Sequence, residues 1–193
     1  MGSESRSLRT AFSEAETQRK AIESSLATSG SPFQDNLLAT IKTYEECLRI
    51  ASQVSLFSPN ETLEDVNSNE LQYLLINFYL ADLTLKRIGG DRKAILLQAR
   101  DYYEHFLKLL DSYDILSRAD AKLFEKFTEG PNTFSTASTT DAVARRDTKI
   151  AQLKEEKELK QKLEVQTTLR KPFTCYSSYL VVSPKESHSP RAR

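Results

Sequence analysis

The segment 70–88, with LQYLLINFYLADLTL at its centre, constrains this chain more than any other. It has helical length, is apolar almost all round, and is followed by Gly89-Gly90. A helix without a polar face has to be covered on several sides. Its neighbours must therefore be amphipathic helices that supply the cover, and the flanking sequence provides them. Leu8, Phe12, Ala15, Ile22 and Leu26 recur at helical steps and predict a helix over 3–29, ended by Ser29-Gly30. Ser31-Pro32 opens the next, with Ser31 as cap and Pro32 at the first helical position. It runs to about Ser55 with a buried stripe of Leu37, Leu38, Ile41, Tyr44, Leu48, Ala51 and Val54.

Residues 56–67 form a connector with a turn at Ser58-Pro59-Asn60 and one short helical turn over 61–66. Asn67 or Ser68 is expected to cap the apolar helix, and Gly89-Gly90 to end it in the left-handed conformation. Asp91 caps a fourth helix to about Ser112, facing the core with Ile95, Ala99, Tyr102, Phe106, Leu109 and Leu110. A shorter helix follows near 114–127, then a Ser/Thr-rich flexible loop over 129–140. A long charged helix starts at Asp141 and runs to about Thr168. Its mostly charged sequence has little apolar surface to bury, so it is expected to project a face for something else to grip. Glu156–Lys160 and Glu158–Lys162 are ion pairs in the favourable order along it. Lys171-Pro172 breaks the pattern, and 183–193 is polar with two Ser-Pro pairs, as disordered tails are.

No stretch alternates as a strand, and five Gly and six Pro in 193 residues are too few for a turn-rich β fold. The expected fold class is all-α: a tetratricopeptide-like antiparallel array of about six helices, with the long charged helix projecting. Ala99-x-x-x-Tyr103-x-x-x-Leu107 resembles the second helix of a tetratricopeptide unit, although the first-helix Trp and Leu-Gly marks are missing. The expected domains are 1–169, helical and carrying the binding function, and 170–193, an atypical C-terminal tail.

Chemistry is sparse. Cys47 and Cys175 stand alone, giving neither a disulfide framework nor a zinc site. His105 lies mid-helix and His188 in the polar tail; a lone helical histidine is a surface or packing residue far more often than a general base. Glu45-Glu46 and Glu64-Asp65 are sequence neighbours whose side chains diverge on a helix. Gly89-Gly90 lacks the flanking pattern of a phosphate loop. The expectation is a protein that is not an enzyme, with no catalytic residue, cofactor or metal. The polar N-terminus lacks the apolar core of a signal peptide, and no run approaches the length of a membrane span, so the cytosol is the default compartment, with the nucleus also open.

Charge is balanced overall but not locally. Residues 1–140 carry 15 basic and 20 acidic side chains, and 141–171 carry 9 and 6. The basic excess falls on the projecting helix. Arg146 and Lys149 are i and i+3, Arg145 and Lys149 are i and i+4, and Ile150 and Leu153 continue beside them as a mixed apolar and basic edge. Asp147 points elsewhere. Two readings stay open on spacing alone: a solvated helix held by its own ion pairs, or a docking face for an acidic protein. Nucleic acid is disfavoured, because this helix has no stacking aromatic.

Two motifs carry a resemblance. Phe57-Ser58-Pro59-Asn60-Glu61-Thr62-Leu63-Glu64-Asp65-Val66, followed by Leu71-Gln72-Tyr73-Leu74-Leu75 and Tyr79-Leu80-Ala81-Asp82-Leu83, is similar to the signature of the type 2A phosphatase-associated protein family, the yeast Tap and animal alpha-four (immunoglobulin-binding protein) group. Arg146-x-x-Lys149-Ile150, then Lys154, Lys157-Glu158-Leu159 and Leu163, resembles its second signature. The resemblance covers about 5–165. It implies a non-catalytic protein, monomeric on its own, that binds and stabilises catalytic subunits of type 2A-like serine/threonine phosphatases in target-of-rapamycin signalling. Arg146 and Lys149 would carry binding, with Arg145, Ile150 and Lys157 beside them. Family members continue into a further helix and a long acidic tail; FTCYSSYLVVSPKESHSPRAR departs from that pattern, as a truncated or alternatively predicted product would. The alternative function is a generic tetratricopeptide-like adaptor binding peptides in a groove through inner-helix residues such as Tyr73 or Tyr103.

Overall fold

The computed structural model describes residues 6–26, 30–58, 61–136 and 142–169, the last four of these as backbone only. Among them are six α-helices and no strand: α1 (Leu8–Glu23), α2 (Ser31–Gln53), α3 (Ile76–Leu85), α4 (Arg92–Ser112), α5 (Arg118–Glu129) and α6 (Ala142–Leu169). The all-α helical array is therefore the observed fold class. No helix among the described residues is long and apolar enough to cross a membrane. The chain divides into two units, Met1–Asn132 with α1–α5 and Thr133–Arg193 with α6.

In the first unit α1 packs on α2, α2 on α3 and α3 on α4, so the apolar segment is the middle layer, as its composition demands. Leu80 and Leu83 are fully buried there in one cluster with Leu37, Ile41, Tyr44 and Cys47 of α2 and Ala11, Phe12 and Ala15 of α1, and Ala81 is buried as well. Phe12 meets Tyr44 and Tyr73 edge-on at centroid distances of 6.1 and 5.1 Å. Ala99 is buried, and Tyr103 sets its ring 6.0 Å from Phe78, which is how the Ala-Tyr spacing of α4 seats it on α3.

The helix ends differ from expectation, each for a local reason. α1 stops at Glu23 because Ser24 and Ser25 intervene: the Ser24 hydroxyl donates to the Ala21 carbonyl and the Ser25 amide reaches only Ile22. Leu26 is beyond the helix and fully exposed rather than on its buried face. Gly30, at φ 122°, is the residue preceding α2, while Ser31 is helical and bonds Asp35. On α2, Leu38 and Val54 are exposed, and the stripe runs instead through Thr40 and Cys47. Thr40 tolerates burial because its hydroxyl donates to the Asn36 carbonyl at 2.8 Å.

Asn67 does not cap α3. Its side chain accepts from the Asn69 amide in a turn, and a 3₁₀ stretch, Leu71–Leu75, precedes the α-helix. The helix closes at Leu85 by tight Lys86–Leu83 and Arg87–Thr84 bonds; Gly89 and Gly90, at φ 86° and 75°, turn the chain into α4 instead. The expected start of α5 is the end of α4: Asp114 sits at φ 52° while the Ile115 amide reaches back to the Leu110 carbonyl, a Schellman closure. Ser117 then caps α5 by accepting from the Asp120 amide. Leu63–Asp65 is the expected short turn of the connector, closed by a Thr62–Asp65 capping box. Residues 3–5, 27–29, 59–60, 137–141 and 170–193, on which parts of the expected first helix, connector, loop and tail fall, lie outside the described residues.

Candidate functional site

A partly buried polar network shows how the first unit handles some of its charges. Arg19 donates to both oxygens of Glu16, at 3.0 and 2.8 Å, and to Glu23 at 2.5 Å, while its guanidinium lies 4.3 Å over the Tyr79 ring. The Tyr44 hydroxyl donates to the same Glu16 at 2.5 Å. Burial opposes ionisation of Glu16, but the bonds from Arg19 and Tyr44 and the nearby cations outweigh it and hold the carboxyl below its usual range. Burial, followed by the Glu16 hydrogen bond, pushes the Tyr44 hydroxyl well up. Arg6–Glu14, Arg49–Glu46, Lys86–Asp82 and Lys108–Glu104 pair in the same unit. Each of these cations is answered by an acid close in sequence.

On α6 only some cations are answered in this way. Arg145, Arg146, Lys149, Ile150 and Lys157 all lie on it and all are exposed. At 3.6 residues per turn, Lys149 falls about 60° to one side of Arg146, Ile150 about 40° to the other, and Leu153 and Lys157 within about 20°. Arg145 flanks the stripe at about 100°, and Asp147 is as far on the opposite side. Lys157 thus joins Arg146 and Lys149 on one face, about three turns along. Ile150 is 42% and Leu153 66% exposed, although both are apolar.

The decisive pattern is what surrounds the cations. Positions i±3 and i±4 from Arg146 are Ala142, Val143, Lys149 and Ile150; from Lys149 they are Arg145, Arg146, Gln152 and Leu153; from Lys157 they are Leu153, Lys154, Lys160 and Gln161. None is acidic. Among the described residues no ion pair involves Arg146, Lys149 or Lys157. Lys160, by contrast, has Glu156 four residues back and pairs with it at 2.6 Å. No ion pair joins Glu158 and Lys162 among the described residues. A helix held by its own ion pairs therefore describes only part of α6, and the stripe through Arg146, Leu153 and Lys157 is the uncompensated part.

The groove residues fall elsewhere than expected. Tyr73 is mostly a core residue, 7% exposed and edge-on to Phe12, with one edge on a small cavity beside Ser55, Phe57 and Leu109. Tyr103 is spent on Phe78. A groove of about 750 Å³ does run between α2, α3 and α4, lined by Leu48, Ser52, Asn77, Leu97, Tyr102 and His105. His105 rests on the Asp101 carbonyl through Nδ1 at 2.7 Å. Among the described residues no group of three or more His, Cys, Asp or Glu side chains could hold a metal.

The TAP42-like family model matches residues 8–173, from the first turn of α1 past the end of α6. The chain belongs to the TAP42-like family. A relative from Oryza sativa subsp. japonica, named PP2A regulatory subunit TAP46, is 29% identical over 139 residues, 72% of this chain and 31% of its own length. Type 2A phosphatase-associated protein 42 of Saccharomyces cerevisiae is 29% identical over 107 residues, 50% of this chain and 29% of its own length. The human Immunoglobulin-binding protein 1 family member C is 27% identical over 150 residues, 74% and 43%. The chain thus spans about a third of the length of these TAP42-like relatives, and the stretch it shares with the family includes the uncompensated stripe of α6.

Proposed function

We propose that this chain is a non-catalytic regulatory scaffold that binds catalytic subunits of type 2A-like serine/threonine phosphatases through α6. The observation that carries the reading is the stripe of three cations with no ion pair among the described residues, on a chain of a family with relatives named PP2A regulatory subunit and type 2A phosphatase-associated protein. Arg146 and Lys149 would meet carboxylates of the phosphatase, and Arg145, Ile150 and Lys157 would border them. A desolvated pair of this kind contributes a few kcal/mol, whereas charges on the rim of an interface act mainly on the association rate. Within this reading the chain acts as a monomer in the cytoplasm or nucleus, holds the free catalytic subunit in a stable form, and serves target-of-rapamycin signalling.

The test is calorimetric titration of the chain into a purified type 2A catalytic subunit, beside Arg146→Glu, Lys149→Asp. Binding by the parent and a loss of at least about a hundredfold in the double reversal, with helicity unchanged by circular dichroism, is the expected result; it corresponds to about 2.7 kcal/mol. Equal affinity for both chains would remove α6 from the interface. The adaptor reading is favoured by the α2–α3–α4 groove alone, and it predicts instead that Asn77→Ala or Leu97→Ala abolishes peptide capture while the α6 reversal leaves it intact.

A further inference from the structure

We infer that the energetic centre of the α6 face is Leu153, and that the partner surface it fits is an apolar patch bracketed by carboxylates at both ends. This rests on the phosphatase reading above and specifies the surface within it. Leu153 lies on the axis of the stripe, between Arg146 and Lys149 on its N-terminal side and Lys157 on its C-terminal side, and it is 66% exposed. Arg146 and Lys157 are about 16 Å apart along the helix axis. Ile150, at 42% exposure, lies next to Leu153 across the same face.

Two features assign the occupant. The cations at both ends have no acidic residue at helical spacing, so they are free to meet carboxylates of a partner. The apolar pair between them is the part of the face that a partner can fully desolvate, and residues at such centres dominate binding energy while the surrounding contacts exclude water. The helix itself provides matched controls. Leu159 is 54% exposed but about 120° round from Leu153. Lys160 borders the stripe about 40° from Arg146, yet its charge is already answered by Glu156. Position and compensation, rather than residue type, therefore predict which side chains matter.

The experiment is titration of a type 2A catalytic subunit with the full chain and with Leu153→Ala, Leu153→Met, Leu159→Ala, Lys157→Glu and Lys160→Glu, at low and moderate salt. The expected results are a loss of about tenfold or more for Leu153→Ala, near-parent affinity for Leu153→Met and Leu159→Ala, and a salt-dependent loss for Lys157→Glu well beyond that for Lys160→Glu. Alanine is the best helix former, so helicity should hold, and circular dichroism checks it. If the parent binds and the Arg146, Lys149 reversal does not, yet Leu153→Ala binds like the parent, the apolar centre is wrong and the phosphatase reading survives. If Leu159→Ala loses as much as Leu153→Ala, the assignment of the face is wrong. If the parent does not bind, both readings fall together.

Discussion

The first unit and α6 use the same kinds of residue to opposite ends. Around α1 and α2, an arginine is clasped by two glutamates and stacked over a tyrosine, and the large apolar side chains of α3 are mostly buried. On α6, Arg146, Lys149 and Lys157 have no acidic residue at helical spacing, and Ile150 and Leu153 face water. Total charge does not separate the two, because both are rich in charged residues. What marks the α6 stripe is that its aligned cations have no acidic residue at helical spacing and enclose exposed apolar side chains, and that combination is a better guide to a docking face than polarity.

Truncating one apolar side chain in each region gives the largest expected contrast. Leu80→Ala removes a fully buried side chain from the middle layer and should cost about 2–5 kcal/mol in denaturant unfolding, while Leu153→Ala should stay within about 0.5 kcal/mol. Similar costs for the two would mean that Leu153 is a structural residue. Next in size is the charge network. Glu16→Gln should cost about 1–2 kcal/mol at neutral pH, since hydrogen bonds to the carboxylate are replaced by weaker ones. The held-down Glu16 carboxyl stabilises the fold above its ordinary value near 4.5, and that contribution is lost as pH falls through the lower folded value. The parent should therefore lose more stability than the variant between about pH 5 and pH 3, and parallel curves would contradict the network. Smallest is Glu156→Ala on α6: with both partners exposed, it should leave the melting temperature of the first unit unchanged.

How legible each feature was depends on the range over which it is decided. The middle position of α3 followed from its composition, since no other arrangement covers an apolar cylinder. The capping of α4 by Asp91 was equally plain, because a side chain two residues from its target decides it. Helix ends were less legible. Asp114 has the composition of a start, but only the tertiary seat of Tyr113, whose ring packs 6.0 Å from Phe57, makes it a left-handed stop. Leu38 and Val54 satisfied the periodicity of α2 without lying beneath a neighbour, while Thr40 and Cys47 do. Of the site, Arg146 and Lys149 could be placed on one face by counting. Leu153 could be placed beside them in the same way, whereas the alignment of Lys157 rests on the helix continuing unbroken for three turns. The missing acids at helical spacing could also be read in the sequence, by asking what is absent around a charge rather than what is present. Tyr73 shows the limit of composition: only the fold reveals that its ring packs edge-on to Phe12 while one edge borders a cavity.

Cys47 has a use that follows from where it lies. It is completely buried on α2, and burial pushes its thiol up to about 11. Near neutral pH it is both protonated and out of reach, so an alkylating reagent meets it only when α1 and α2 part. With Cys175 replaced by serine, the labelling rate becomes an internal clock for opening of the helical array. That clock would record whether an event on α6 is felt where α1 meets α2, without any probe being added to the molecule.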